Sequence, residues 1–400
     1  MKIFSRIAVM LVCCIICVYE YMSLSSNQSR NKKDLLLKIG HFPLSTLSQI
    51  QEHEYTERVH MRSHRDNDSY IQVSTTKPGA CEPYKYFIFV KTAKTGGSTI
   101  ASLLYRYGIN TGLVAAIPDP PAKFMLRVTS SEVQATQYSC SETGFPGYNY
   151  IASHLHRYNF NSLKNFLPRA KFITILRSPV DTFVSRFYFS NVYKMLGLQN
   201  KVNPLQTFLT DSAYRDIKEK VIVPRVPTWF SLTHDHRISE VSKEFDLVMI
   251  TEYMDESLIL LKKMMCWTFD DIIYHSKKVS GVKRPSLSNE MRELIEEGLH
   301  LDIEWYDHFN KTLWDKIKNY DGDFNADLSL FRLKLSESEE RCRKNRKDDE
   351  DYCKFLSRDV GQLKKKLAKQ QYERFCGKQF TRAMLGNKTY KGKTFRKRWE

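Results

Sequence analysis

The sequence is short of acidic residues, of long apolar runs and of common metal and nucleotide motifs. It has 45 Asp and Glu residues against 62 Lys and Arg residues, a formal net charge of +17, which favours anionic partners but does not determine the fold. The six cysteines beyond residue 80 contain no CxxC pair and no Cys/His zinc spacing, so a zinc site is disfavoured. Hydrophobic residues make up 42% of the chain, which is enough for a packed core and argues against wholesale disorder.

The apolar run near the N-terminus, residues 7–19, is shorter than the roughly 20 residues of a typical membrane span. Lys2 and Arg6 precede it, a charge pattern that keeps the N-terminal side in the cytoplasm. We favour an uncleaved signal anchor, and a cleaved signal peptide stays open. This interpretation predicts a cytoplasmic tail at residues 1–6, a type II transmembrane segment at residues 7–23, and a lumenal remainder that has no access to nucleic acid.

The cysteines and glycosylation triplets agree with a lumenal location. An even set of cysteines in a secretory protein predicts disulfides, with the connectivity left open. The set comprises Cys81, Cys140, Cys266, Cys342, Cys353 and Cys376. Four N-x-S/T triplets, each weak evidence alone, begin at Asn27, Asn67, Asn310 and Asn387.

Hydrophobic patterning divides the lumenal part into three regions. Residues 24–80 are polar without a steady hydrophobic period, and we interpret them as a flexible stem. Residues 81–335 alternate short apolar runs with helical patterns, which predicts an α/β catalytic domain with a mainly parallel sheet. Residues 336–400 are highly charged and are interpreted as a helical C-terminal extension.

The same patterning places the individual elements. Strands are predicted at residues 86–90, 149–152, 170–176 and 245–250. Helices are predicted at residues 99–107 with an end at Gly108, and at 180–193, 255–265, 287–300, 303–319, 337–347 and 356–371.

A loop rich in Lys, Thr and Gly lies between the first predicted strand and helix. Backbone N–H groups and a helix N-terminus at such a loop bind anions, and Gly96 and Gly97 permit close approach to a ligand. Its Lys94 precedes the glycines, unlike a Walker A loop, so an ATP-hydrolysing P-loop with a Mg²⁺ site is disfavoured. The predicted binding residues are Lys91, Lys94, Thr95, Gly96, Gly97, Ser98 and Thr99.

A second predicted anion-binding element follows a later strand. Arg177 ends that strand, and Ser185 lies eight residues further on, roughly two helical turns into the next helix. An arginine fork and a hydroxyl donor together suit a phosphate group. An ordinary ion pair and a helix serine explain each residue taken alone, but their order after the first loop favours a nucleotide site with two anionic contacts.

These two elements resemble those of the carbohydrate sulfotransferases that use 3′-phosphoadenosine 5′-phosphosulfate (PAPS). The segment KTGGST at 94–99 is similar to their 5′-phosphosulfate loop, and RSPVDTFVS at 177–185 is similar to their 3′-phosphate element. More narrowly, the chain resembles the galactose-3-O-sulfotransferase family. The stretches that carry this likeness are residues 89–95, 172–179, 251–262, 266–267 and 308–314.

The resemblance implies a three-layer, P-loop-like sulfotransferase fold. It also implies transfer of a sulfuryl group from PAPS, without a metal, to a galactose hydroxyl, in first place the 3-hydroxyl, of a glycolipid or glycoprotein. The expected location is the Golgi membrane, with the catalytic domain in the lumen. The family typically carries a histidine between the two lysines of its K-T-H-K-T loop, and this chain has Ala93 there.

Sulfuryl transfer is expected to resemble loose phosphoryl transfer, which needs a base for the attacking hydroxyl and a cation for the leaving group. We predict His154 as the base, because it follows a strand at the edge where open α/β folds bind ligands and matches a family segment. His156 is the second candidate. Lys94 is predicted as the leaving-group cation, with Lys91 second.

Two other functions stay open. The absence of the family histidine at Ala93 fits a catalytically inactive, basic glycan-binding relative. A lumenal glycosyltransferase is the other alternative, with Asp321 and Asp323 as a DxD metal site, although their place after a predicted helix favours a simple turn. The HDH segment at 234–236 is likewise interpreted as a polar loop. The sequence does not indicate an oligomeric state.

Overall fold

The computed structural model describes residues 81–377, apart from residues 122, 131, 137–144, 231–237, 276–285 and 345. The predicted anchor, the predicted stem and the basic segment 378–400 lie outside these described residues. No helix within the described part of the chain is long and apolar enough to cross a membrane.

Five strands form one sheet in the order β2-β3-β1-β4-β5. They are β1 (Phe87–Val90), β2 (Met125–Leu126), β3 (Tyr150–Leu155), β4 (Lys171–Leu176) and β5 (Leu247–Ile250). Every pairing between neighbouring strands is parallel, so the predicted α/β architecture with a parallel sheet is confirmed. All residues of β1 and β5 are buried, as expected for a parallel sheet that is covered on both faces.

Helices follow most strands and cover the sheet. They are α1 (Gly97–Thr111), α2 (Phe160–Phe166), α3 (Pro179–Phe189), α4 (Val192–Met195), α5 (Pro204–Thr210), α6 (Arg215–Val221), α7 (Val226–Trp229), α8 (Ile238–Ser242), α9 (Met254–Met265), α10 (Phe269–Ile272), α11 (Asn289–Glu297), α12 (His300–Lys318), α13 (Phe324–Arg343), α14 (Glu350–Ser357) and α15 (Val360–Cys376). Short 3₁₀ turns occur at Ser212–Tyr214, Thr251–Tyr253 and Lys347–Asp349.

Helix α1 is longer than predicted. The pattern predicted an end at Gly108, but the helix continues to Thr111 and ends at Gly112, whose φ is 69°. Gly108 is buried inside the helix, and a Cβ atom there would clash with the phenol of Tyr150 on β3. This glycine therefore permits close packing of α1 on the sheet and does not cap the helix.

The predicted helix over residues 180–193 is divided. Helix α3 ends at Phe189, and α4 begins at Val192. Asn191 between them has a φ of 54°, a left-handed conformation that asparagine tolerates better than most residues. The prediction was wrong here because the aromatic pattern continues through the break.

The C-terminal helices pack on the same core as the sheet. Helix α13 crosses residue 335, so the predicted limit between catalytic domain and extension falls inside a helix. Phe331 on α13 and both Leu363 and Leu367 on α15 belong to the main buried cluster. The high charge of this region therefore lies on the outer faces of helices whose apolar residues face the core.

Disulfides form among the predicted cysteines. Cys342 and Cys353 are joined, with 5.4 Å between their Cα atoms, and link the end of α13 to α14. Cys81, Cys266 and Cys376 are also disulfide-bonded. Cys140 lies outside the described residues.

Candidate active site

The loop between β1 and α1 is fixed to the ends of two other strands. The Thr92 hydroxyl donates to the carbonyl of Ile175 on β4 at 2.6 Å and lies 2.7 Å from the Thr95 hydroxyl. The Thr251 hydroxyl, just after β5, lies 2.6 Å from the carbonyl oxygen of Thr95 and 2.9 Å from that of Leu176. The loop is therefore held in place by threonine hydroxyls before any ligand binds.

The backbone of this loop is shaped for close approach of an anion. Gly96, the N-cap of α1, has a φ of 73°, and a Cβ atom on Gly97 would lie 3.3 Å from the carbonyl oxygen of Thr92. Lys94 has a φ of 64°, which is unusual for a residue with a side chain. Because α1 directs its first N–H groups and its positive dipole end toward the loop, this geometry favours the predicted anion site.

The second predicted anion element is built around a carboxylate that the sequence did not connect with it. Nε of Arg177, directly after β4, lies 3.9 Å from Oε1 of Glu252. The same carboxylate accepts the Ser178 N–H at 3.0 Å and the Tyr306 hydroxyl at 3.2 Å. Ser185 lies two turns into α3 and is buried. Glu252 therefore orients Arg177 and the first turn of α3.

The predicted base and one predicted cation are in direct contact. Nε2 of His154, on β3, lies 2.7 Å from Nζ of Lys91, which follows the neighbouring strand β1. A lysine ammonium only donates hydrogen bonds, so Nε2 is the acceptor and the ring proton is on Nδ1. The Phe124 ring stacks on the imidazole, with 4.3 Å between the ring centroids. The imidazole is thus held between a cation and an aromatic ring.

The two loop lysines point in different directions. Nζ of Lys94 lies 3.4 Å from the centroid of the Phe189 ring on α3, whereas Nζ of Lys91 contacts His154. The sequence analysis preferred Lys94 to Lys91 as the leaving-group cation, and both assignments stay predictions. The geometry favours Lys91 for any step that it shares with His154.

A cavity of about 250 Å³ lies next to this pair. The loop contributes Lys91, Ala93 and Lys94 to its lining, β3 contributes His154, and the exposed His156 follows β3. Helix α3 contributes Thr182, Phe183 and Arg186, and later segments contribute Arg225, Trp229 and Asp302. The cavity therefore connects the predicted catalytic residues with Arg186, Arg225 and Asp302, which the sequence did not assign to the site.

Asp302 is a buried carboxylate in this lining. Its side chain accepts the N–H groups of Arg225 at 2.8 Å and of Val226 at 2.9 Å. Burial raises the pKa of Asp302, against a lowering by these N–H groups and by the charges of Arg186 and Arg225. Because these bonds fix the start of α7, Asp302 also positions Trp229. Its place in an ordinary helical pattern gave no signal of this role.

The acidic triplet that suggested a glycosyltransferase forms a turn, as interpreted from the sequence. Asp321 is paired with Lys263 at 3.0 Å, and Asp323 caps α13 by accepting the Ala326 N–H at 2.9 Å. Within the described ranges, no group of three or more His, Cys, Asp or Glu residues is arranged to hold a metal ion. The HDH segment at 234–236 lies outside those ranges.

Comparisons with known proteins identify the family. Residues 21–353 match the family model for galactose-3-O-sulfotransferases. The chain is 31% identical over 262 residues to a galactosylceramide sulfotransferase of Bos taurus, covering 60% of each chain. It is 29% identical over 291 residues to galactose-3-O-sulfotransferase 2 of Homo sapiens, covering 68% of each chain.

The match covers only part of the length of the first of these relatives. The chain covers 60% of the length of the bovine galactosylceramide sulfotransferase, which is less than two thirds of that protein. The family model, in contrast, extends over most of this chain. This protein belongs to the galactose-3-O-sulfotransferase family.

Proposed function

We propose that this protein transfers a sulfuryl group from PAPS to a galactose hydroxyl, in first place the 3-hydroxyl, of a glycolipid or glycoprotein glycan. The observation that carries the proposal is the contact between His154 and Lys91 at the carboxyl edge of the sheet. This contact supports the proposal, because it brings an imidazole nitrogen and an ammonium group together next to the loop at the start of α1. This is the combination of base, cation and anion site that sulfuryl transfer requires.

The donor is expected to use both anion elements. The loop of residues 94–99 offers N–H groups and hydroxyls to the phosphosulfate, and Arg177 with Ser185 is assigned to the 3′-phosphate. PAPS supplies the activated sulfuryl group, and the protein contributes position and charge. Because Glu252 already orients Arg177, the guanidinium needs little rearrangement to meet a phosphate.

His154 is assigned as the base. The acceptor hydroxyl gives its proton to Nε2, its oxygen forms the new bond to sulfur, and the bond from sulfur to the nucleotide breaks. Nε2 must exchange its hydrogen bond with Lys91 for one with the hydroxyl, since the nitrogen has one lone pair. Lys91 then places its charge on the donor's oxygens. Breaking the hydrogen bond between His154 and Lys91 thereby frees the base and the cation at the same time.

The cavity is assigned to the acceptor. Its volume of about 250 Å³ lies below the roughly 300–1,000 Å³ of pockets for drug-sized ligands, and suits one sugar ring. Trp229 offers an aromatic surface, while Thr182 and Arg186 offer polar groups. Ala93 is smaller than the histidine typical of the family and leaves more room for the sugar beside His154.

We further propose that the protein is a type II Golgi membrane protein with a lumenal catalytic domain. Lys2 and Arg6 before the apolar run support the orientation. The disulfide between Cys342 and Cys353 supports an oxidising compartment.

A second candidate is a glycan-binding relative without turnover, and Ala93 is the observation that favours it. One experiment separates the two. The purified full-length protein is incubated with radiolabelled PAPS and a panel of lipid-linked and free β-galactosides, and the position of any sulfate is determined. Transfer to galactose that is lost in His154→Ala supports the enzyme. Glycan binding without transfer supports the binder.

A further inference from the structure

Three side chains of the C-terminal helix α15 make four hydrogen bonds to the backbone between α1 and β2. Nζ of Lys364 donates to the carbonyl of Lys123 at 2.8 Å. The buried Gln371 accepts the Ala115 N–H at 2.9 Å and donates to the Ala115 carbonyl at 3.1 Å. Nη1 of Arg374 donates to the carbonyl of Gly112 at 2.8 Å. The helix thus contacts this segment near its start and near its end.

The three side chains lie on one side of α15. Their spacing of seven and three residues brings positions 364, 371 and 374 to neighbouring places on a helical surface. Leu363 and Leu367 of the same helix are buried in the main core, so α15 cannot shift without losing apolar contacts. The helix is therefore a rigid support for the backbone at Gly112, Ala115 and Lys123.

The supported segment leads directly to the proposed base. Phe124 follows Lys123 and stacks on the His154 ring. The next residue, Met125, pairs with His154 in the parallel ladder of β2 and β3. A shift of the Lys123 carbonyl therefore also moves the Phe124 ring, which stacks on the imidazole.

We infer that Lys364 is a positioning residue: from α15 it fixes the Lys123–Phe124 segment, and through the Phe124 ring it fixes the orientation of the His154 imidazole toward Lys91. The inference rests on the proposed function, because it takes His154 as the base. Lys364 lies beyond residue 353, where the family match ends. The C-terminal extension therefore supports the position of the catalytic base, although it contributes no group to the reaction.

The decisive comparison is between Lys364→Met and Lys365→Met in the purified full-length protein. Both variants remove an ammonium group from α15, but Lys365 is exposed, and Lys364 holds the Lys123 carbonyl. Two quantities are measured: the rate at which diethylpyrocarbonate modifies His154, mapped by mass spectrometry against the exposed His300, and kcat with KM for PAPS and for a β-galactoside.

Lys364→Met is expected to raise His154 modification several-fold and to lower kcat about 10-fold, since small errors in the position of a catalytic group cost up to about 10²-fold. KM for PAPS should stay unchanged, and Lys364→Arg should restore both readouts. Phe124→Leu should reproduce the increase in modification. Lys365→Met should behave as the wild type.

Equal His154 modification in Lys364→Met and Lys365→Met would overturn the inference. So would a loss of kcat in Lys364→Met with unchanged modification, because the helix would then act by another route. If Lys364→Met does not fold, Lys364→Gln takes its place in the comparison, because the shorter side chain also gives up the bond to the Lys123 carbonyl. The modification rate needs no turnover, so an inactive wild type would contradict the proposed function while the positioning is still tested.

Discussion

Nζ of Lys91 and Nε2 of His154 are 2.7 Å apart, although 63 residues separate them in the chain. The parallel pairing of β1 with β3 creates this contact, because Val90 lies opposite Ser153 and the two functional residues follow directly. A buried backbone register therefore sets the geometry of the proposed base and cation.

Replacing Lys91 and Lys94 should have different consequences. Lys91→Met removes the cation that contacts His154, and we expect kcat to fall about 10²-fold or more, the size of effect seen when a charge-stabilising donor is lost. Lys94→Met should mainly weaken binding of the product 3′-phosphoadenosine 5′-phosphate. Steady-state kinetics and calorimetry with this nucleotide measure the two effects. Equal losses of kcat in both variants would contradict the division of roles.

Arg177 is expected to determine nucleotide affinity. Arg177→Ala should weaken binding of the product nucleotide at least about 10-fold, since hydrogen bonds to charged groups contribute about 1.5–3 kcal/mol. Glu252→Gln should weaken it less, because this carboxylate orients the guanidinium and the first turn of α3.

The matched control for this measurement is Arg292→Ala. Arg292 forms a surface pair with Glu296 on α11, and its loss should leave nucleotide binding unchanged. Tighter binding in Glu252→Gln would show that the carboxylate competes with the donor phosphate, which would overturn its assignment as an orienting group.

Gly108 should be intolerant of a side chain. Gly108→Ala places a methyl group against the Tyr150 phenol, and overpacking of this kind costs about 1–3 kcal/mol of unfolding free energy. Gly361→Ala is the matched control, because this glycine lies in the first turn of α15 and has only the Asp359 carboxylate nearby. Urea unfolding of both variants tests the expectation. An unchanged unfolding free energy in Gly108→Ala would mean that α1 can move away from β3 without loss of stability.

The ionisation of Lys364 should appear in the pH dependence of stability. Burial lowers the pKa of this ammonium to about 8, with a smaller contribution from Lys365, whereas a lysine in the unfolded chain titrates near 10.4. Between these values the unfolded state binds more protons, so the free energy of unfolding rises with pH. The unfolding free energy of the wild type minus that of Lys364→Met should therefore be constant below about pH 7.5. It should rise from about pH 8 to pH 10, as the wild type gains stability. A constant difference over the whole range would contradict the lowered pKa.

The sequence predicted what local patterns determine. Short local patterns encode the apolar runs of β1 and β4, the two glycines at the start of α1, and Arg177 directly after β4. The structure contains these features as expected. His154 was predicted as the base because its position at a strand end and its likeness to a family segment coincided, and the structure shows it in contact with Lys91.

The rest depends on contacts between distant residues. The covering of His154 by Phe124 depends on the path of an irregular segment, and the pairing of Arg177 with Glu252 depends on the order of strands. Gly108 was misjudged because a glycine near a helix end looks like a cap unless the opposing Tyr150 is known. Lys364 was assigned only to a solvated helix of the C-terminal extension, because its partner is a carbonyl 241 residues away in the chain.

Ala93 offers the sharpest test of the acceptor site. It lies in the cavity lining between Lys91 and Lys94, at the position where the family typically carries histidine. Ala93→His adds an imidazole to a cavity of only about 250 Å³. We therefore expect KM for the preferred β-galactoside to rise at least about 10-fold, because the added ring removes space that the sugar occupies. Binding of the product nucleotide should not change.

Ala93→Ser is the control, because it alters the volume little and should retain wild-type kinetics. The two variants are compared on the same acceptor panel, with kcat and KM measured for each glycan. If Ala93→His retains or improves turnover of every acceptor, the space beside Ala93 does not hold the sugar, and the acceptor must approach His154 from another side. If it instead transfers the activity to a different galactoside, the alanine is the residue that sets acceptor choice in this chain.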